Sequence, residues 1–178
     1  MEVSSGLMEK EKPYEDIILA KLGDKCAFER LIGAHEFSLY VVARGMLSDK
    51  SDIEDAFQET VLKAYNGLEH LRKVEFFKTW IIRIMINECR NILRKNRKVI
   101  YIEDSSFIEP VFHEDNNRLE ILEIVNSLER DLRLVTILYY YEDIPQKEIA
   151  DLLGIPQGTV RSRLSRAKDR LRQMLAAE

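Results

Sequence analysis

The stretch "QKEIADLLGIPQGTVRSRL", residues 146–164, decides how the last third of this 178-residue chain folds. Ile149, Leu153, Ile155, Val160 and Leu164 have the spacing of a small apolar core shared by two helices. Ala150 is small where those helices must cross closely. Gly154 stands where a tight turn can use a positive φ, and Pro156 starts the second helix with its φ already set. This is the layout of a helix-turn-helix, a far more specific signal than a basic run alone.

The second helix of the pair has direction. Val160, Leu164, Ala167, Leu171 and Leu175 form one stripe, and the opposite face carries Ser162, Ser165, Arg166, Asp169 and Gln173. The outward residues are candidates for base edges in a major groove. Arg166 can donate two hydrogen bonds to a guanine, and the two serines are short enough to let the helix approach. Arg161, Arg163, Lys168, Arg170 and Arg172 fall on the flanks, where phosphates would position the helix without reading sequence. A flank arginine can also simply lie along the surface with its charge in water, so not all five are expected on DNA.

The formal net charge of -4 conceals a strong segregation. Residues 87–98, "NECRNILRKNRK", carry five bases against one acid, and residues 156–175 carry six against one. Between them, residues 99–130 carry eight acids against two bases. Two basic patches separated by an acidic middle speak of partners rather than fold. Cys26 and Cys89 sit inside apolar helical patterns without a second thiol or a histidine cluster nearby, so they read as buried, reduced thiols. His35, His70 and His113 are scattered, so no metal site and no cofactor is expected. The opening "MEVSSGLMEKEKPYEDI" lacks a cationic start followed by an apolar run, and no uncharged span reaches membrane-helix length; the expectation is a cytoplasmic protein.

The N-terminal half reads as helices throughout. A first runs from Pro13 to about Leu22, stopped by Gly23. A second runs from about Asp24 to Leu47. A third, capped at Ser51 by the S-x-x-E box with Glu54, continues to about Leu68. On that helix Ile53, Phe57, Thr60, Val61, Ala64 and Leu68 make a core stripe, while Asp55, Gln58, Glu59, Leu62 and Asn66 face the other way. Leu62 ringed by carboxylates and amides reads as a small protein contact, although a solvated acidic face is the plainer alternative. The fourth helix, about Glu75 to Lys95, has apolar residues all round: Phe76, Trp80 and Ile84 on one side, Ile82, Met85 and Ile86 elsewhere. It ends in Arg90, Arg94, Lys95, Arg97 and Lys98, more cations than a helix C-terminus needs. Residues 99–116 lose the helical period and contain Pro110, so they read as a linker between a first domain, 1–98, and a second, 117–178.

On the strength of "DAFQE", the F-x-x-W-I-x-R-I pattern through Trp80 and "EIADLLGIPQGTVRSRLSRAK", the chain resembles the extracytoplasmic-function (ECF) group of bacterial sigma-70 factors. The resemblance covers nearly everything beyond Tyr14. It implies an all-α fold of two small helical domains, sigma-2 and sigma-4, joined by a flexible linker, in a monomer that is not an enzyme. It implies that Asp55, Gln58, Glu59 and Leu62 dock on the clamp helices of the polymerase beta-prime subunit, and that the beta flap is a further polymerase contact. Leu71, Arg72, Phe76, Trp80 and Asn87 would hold the separated minus-10 strand, with one base flipped into a pocket. Arg90, Arg94, Lys95 and Lys98 would follow duplex phosphates. Arg161, Ser162, Arg163, Ser165, Arg166, Lys168 and Arg170 would meet the minus-35 element. An anti-sigma protein, often membrane-bound in such systems, is the implied regulator. Leu71 stands where relatives often have an aromatic residue, and Ser165 where they often have a larger one.

Two other classes of protein compete with this reading. A conventional activator or repressor would share the helix-turn-helix but needs a ligand pocket or phosphoacceptor in its other half, where this chain has an acidic helix followed by an aromatic and basic one. An enzyme acting on nucleic acid needs a metal-carboxylate or nucleophile arrangement, and no suitable spacing occurs.

Overall fold

The computed structural model describes residues 14–96 and 124–176, and among these no strand forms. The first unit contains α1 (residues 14–21), α2 (Lys25–Gly33), α3 (Glu36–Met46), α4 (Lys50–Gly67) and α5 (Phe77–Asn96). Single 3-10 turns at Leu68–His70 and Val74–Phe76 link α4 to α5. The second unit contains a helical turn, α6 (residues 124–126), then α7 (Arg130–Thr136), α8 (Gln146–Leu153) and α9 (Gln157–Leu175). The predicted linker 99–116, together with His113 and Lys98, lies outside the described residues.

Three differences from the sequence reading have local causes. The predicted helix Asp24–Leu47 is two helices. The end of α2 tightens, with His35 N–H donating to Ile32 O at 2.9 Å, and the His35 Nδ1 bonds Leu31 O at 2.8 Å, so the backbone leaves the helix at Ala34–His35 and restarts at Glu36. The N-cap of α4 is Asp49, whose carboxylate accepts from Asp52 N–H at 3.2 Å. Ser51 therefore lies inside the first turn, and Glu54 pairs with Lys50 at 3.6 Å instead of closing a capping box. Cys26 is exposed, because the buried face of α2 is made by Ala27, Phe28 and Leu31. Cys89 is buried as expected, and that burial pushes its thiol up to about 12.

The core of the first unit is where α3, α4 and α5 meet. Leu39, Val42 and Met46 of α3 and Ile53, Ala56 and Ala64 of α4 close on Phe77, Ile81, Ile82, Met85 and Ile86 of α5. Thr60 is buried there at little cost, because its hydroxyl donates to Ala56 O at 2.7 Å. The face of α5 turned outward holds Trp80 and Ile84, both half-buried, and Arg83 and Asn87, both exposed.

In the second unit the helix-turn-helix forms as its residues dictate. Gly154 takes φ 67 and ψ 37, the left-handed cap that only glycine adopts without strain. Pro156 occupies the N-cap position at φ -60, and α9 begins at Gln157. Ile149, Val160, Leu164 and Ala167 are buried, and Ala150 sits at the helix crossing. Before α8, the helix of α7 widens into a π-helical turn, Ile137–Tyr141, which buries Ile137 and Leu138.

The two units share one continuous apolar core. Along the seam, α3 packs on α7 and on the π-helical turn. Gly45 lets the two elements approach closely: a Cβ there would lie 2.6 Å from Ile137 Cδ1, so the buried Ile137 side chain would have to shift. The Phe37 and Tyr141 rings meet across the seam tilted by 43°, with centroids 6.2 Å apart.

Candidate nucleic-acid interface

The outward face of α9 is exposed, with Arg166, Asp169, Arg170 and Gln173 also forming one side of an open groove of about 400 Å³ whose other side is Ser127, Leu128, Glu129 and Leu132. Ser162, Ser165, Arg166, Asp169 and Gln173 are all exposed, as are Arg161, Lys168, Arg170 and Arg172 on its flanks. Ser162 bonds back to Thr159 O at 3.0 Å, which leaves its hydroxyl oxygen able to accept. Arg163 departs from expectation. Its guanidinium pairs with Asp131 of α7 and its side chain is mostly covered, so this residue ties α9 to its own unit. Sequence spacing put it on the flank correctly but could not see the carboxylate that α7 brings beneath it.

The acidic face of α4 is equally exposed. Asp55, Gln58, Glu59 and Leu62 line one side of an open groove of about 800 Å³, with Asn91, Ile92, Arg94 and Lys95 of α5 on the other. Leu62 is 58 % exposed, a large apolar side chain left mostly in solvent. At the groove floor Glu88 is buried but satisfied, by Lys63 at 2.7 Å and by Asn91 at 3.2 Å. Arg94 and Lys95, predicted for duplex phosphates, thus share a groove with the predicted docking residues; Arg94 also bonds Asn91. A one-dimensional reading separates these two sets because they lie on different helices.

Leu71, Phe76 and Trp80 converge on a second cavity, of about 480 Å³, which Thr79 and Arg83 also line. Phe76 is 47 % exposed, and the Lys73 ammonium sits 5.6 Å from its ring centre. Leu71 is buried, with its carbonyl accepting from the Lys21 ammonium, so it forms wall rather than a stacking platform. Arg72 and Asn87 are exposed outside this cavity. Arg83 was missed by sequence reasoning, although stepping one helical turn from Trp80 reaches it. Arg90, predicted for phosphate, donates to Leu153 O at 2.9 Å and so spends one of its donors on the end of α8. Among the described residues no group of His, Cys, Asp and Glu could hold a metal ion, and no helix is long and apolar enough to cross a membrane.

An all-helical pair of units, one with an exposed helix-turn-helix and the other with an acidic groove and an aromatic cavity, defines a DNA-binding protein that also docks on another protein. Comparison with known proteins narrows the class. The family described as Sigma-70 region 2 matches residues 31–99, and Sigma-70, region 4 matches residues 118–171. The RNA polymerase sigma factor NccH of Alcaligenes xylosoxydans xylosoxydans is 31 % identical over 88 % of this chain and 90 % of its own. The ECF RNA polymerase sigma-E factor of Haemophilus influenzae is 29 % identical over 83 % and 86 %. Among solved structures, the sigma factor RpoE in complex with the anti-sigma factor NepR from Bartonella quintana superposes with a TM-score of 0.69 at 26 % identity, covering 85 % of this chain and 98 % of that one. The chain belongs to the sigma-70 family, as an ECF RNA polymerase sigma factor. It is a promoter-directing subunit of RNA polymerase and not an enzyme.

Proposed function

We propose a division of labour within this sigma factor. The first domain, 1–98, docks on the clamp helices of the beta-prime subunit through Asp55, Gln58, Glu59 and Leu62, and holds the separated minus-10 strand at Phe76 and Trp80, with Leu71 as a wall and Arg72 and Asn87 at the edge. The second domain, 117–178, reads the minus-35 duplex with Ser162, Ser165 and Arg166. Arg161, Lys168 and Arg170 hold phosphates on either side, and residues 99–116 connect the domains. The observation that carries this reading is that the exposed Leu62 face and the Phe76–Trp80 surface, which lines a separate cavity, both belong to the first unit. A protein that only gripped duplex DNA would need neither.

Strand separation fits the aromatic cavity on energetic grounds. Extruding a base costs a few kcal/mol, and stacking on an aromatic side chain returns roughly 1–3 kcal/mol per base, so two rings at one site supply the scale required. Arg83, together with Lys73 beside Phe76, gives the backbone of a single strand its counter-charge. Such a factor works in the cytoplasm with its polymerase. The NepR complex of the Bartonella relative supports an anti-sigma partner for this chain as well.

Run-off transcription with core polymerase tests the assignment. Phe76→Ala and Trp80→Ala should lose most activity on a duplex promoter and recover it on a template with the minus-10 element already unpaired. Equal activity loss on both templates would remove the strand-holding role from this cavity.

A further inference from the structure

Two walls of the Phe76–Trp80 cavity, Leu71 and Trp80, are each fixed by a residue that does not line it. Leu71 belongs to the loop between α4 and α5, whose own hydrogen bonds are local: Leu71 N–H donates to Leu68 O at 3.1 Å, and Phe76 N–H to Lys73 O at 3.2 Å. The polar tie from this loop to another helix is Lys21, the last residue of α1. Its ammonium donates to the Leu71 carbonyl at 2.5 Å from fifty positions upstream. Lys21 is half-buried, and a hydrogen bond from a charged donor is stronger than a neutral one. Trp80 is set differently, because its indole rests on the backbone at the end of α4. A Cβ on Gly67 would lie 3.3 Å from Trp80 Cζ2 and 3.9 Å from Cη2, so the ring would have to give way. Phe77, itself buried, meets the same indole with centroids 5.7 Å apart. A ring pushed off Gly67 therefore yields toward the cavity, where the space is.

We infer that Lys21 and Gly67 are positioning residues for minus-10 recognition. Lys21 sets where the Leu71 wall stands, Gly67 sets where the Trp80 ring lies, and together they fix the size of base the cavity accepts. Both act from outside the cavity, through the side chains that line it. An apolar pocket discriminates by fit, and one methylene's worth of space is worth roughly 10–200-fold. A small displacement of either wall therefore changes which base is favoured without abolishing capture. The two residues act in distinguishable directions: a loosened Leu71 wall tolerates purines and pyrimidines alike, whereas a Trp80 ring advanced into the cavity favours the smaller pyrimidines. Polymerase docking is untouched, because other residues form the Leu62 groove. This inference rests on the reading of Phe76 and Trp80 as the strand site, so its test includes a readout of the walls that does not involve DNA.

Transcription by core polymerase from a duplex promoter library with a randomised minus-10 element reads the base preference, and Trp80, the one tryptophan in the chain, reads the walls in the free protein. Lys21→Met keeps the aliphatic stem and removes the donor. It should flatten the preference at one minus-10 position by roughly tenfold, the low end of what a misfit in a pocket is worth, and Lys21→Arg should restore it. Acrylamide quenching of Trp80 should rise in Lys21→Met and return in Lys21→Arg. Gly67→Ala adds no backbone strain, since φ is -99 there, and alanine favours a helix. It should move the preference at the same position toward pyrimidines and shift Trp80 emission to longer wavelength. Core-polymerase affinity and far-ultraviolet circular dichroism should match the parent in all three variants. If preference and fluorescence of Lys21→Met and Gly67→Ala match the parent while Phe76→Ala scrambles the preference, the strand site stands and the positioning role is refuted. A uniform loss of transcription with the preference intact would reduce both residues to structural supports, which also overturns the inference. If fluorescence moves but no variant alters the preference, Phe76→Ala included, the cavity is not the base pocket and the inference falls with that reading.

Discussion

Replacing Leu62 by alanine isolates the polymerase contact from everything else the first unit does. Fully burying a leucine side chain contributes about 1.5–3 kcal/mol. With Leu62 58 % exposed in the free chain, roughly 1–2 kcal/mol of that remains to be gained on docking. At about 1.4 kcal/mol per factor of ten, the alanine variant should bind core polymerase roughly tenfold more weakly. The substitution leaves no cavity and alanine favours a helix, so thermal unfolding should be unchanged. Competition between the variant and a labelled parent for core polymerase measures the ratio directly. Adding charge should deepen the effect: Glu59→Lys with Leu62→Asp should abolish co-purification, because one change reverses a rim carboxylate and the other puts a carboxylate where an apolar contact belongs. Affinity within twofold of the parent for Leu62→Ala, with the double variant still co-purifying, would mean that α4 does not face the polymerase.

Other expectations follow from single residues. Arg166→Ala should cost roughly 1–3 kcal/mol at the upstream element and relax preference at one base pair in a binding-site selection; a uniform loss on all sequences would make it a phosphate contact. Gly154→Ala should destabilise the chain by about 1–2 kcal/mol in denaturant titration, all of it from the left-handed backbone, since nothing lies within 4 Å of the added methyl. Burial holds the His35 imidazole below its ordinary range, aided by Lys78 and opposed by the Leu31 carbonyl and Glu142. The unfolded imidazole takes up its proton near about pH 6.5, before the folded one does, so stability should fall as pH drops below that value and level off beneath the folded pKa. His35→Gln should flatten this slope in a series of melts between neutral and mildly acid pH.

The second unit was legible because its key positions admit few alternatives. Gly154 needs a backbone that other residues resist, and Val160 and Leu164 can only face inward once the turn is made. The acidic face of α4 was legible for a similar reason, since Leu62 breaks an otherwise polar side of a strongly periodic helix. The break between α2 and α3 was missed because the apolar period runs on through Leu31, Ile32 and His35, while the stop is made by backbone bonding at Ala34 and His35. Asp49 was passed over as cap because Ser51 and Glu54 have the more familiar spacing. Arg163 and Arg90 had the right charge and the right faces, but their partners, Asp131 and the Leu153 carbonyl, come from segments 32 and 63 residues away. Local periodicity carries no information about such pairings. Glu142 is the extreme case, since by residue type it is a surface acid and by position it is among the most deeply covered charges of the described residues.

Gly45 has a consequence for engineering by recombination. The absence of a side chain there is set by an isoleucine ninety-two positions further on. Grafting promoter preference by exchanging halves between relatives is thus not a free operation: a donor half with a bulkier residue at 45, or a recipient without the Lys78 ammonium that pairs with Glu142, yields a hybrid whose parts each fold yet no longer rest against each other. Such hybrids would differ from both parents in stability, even where every base-reading residue has been transplanted intact.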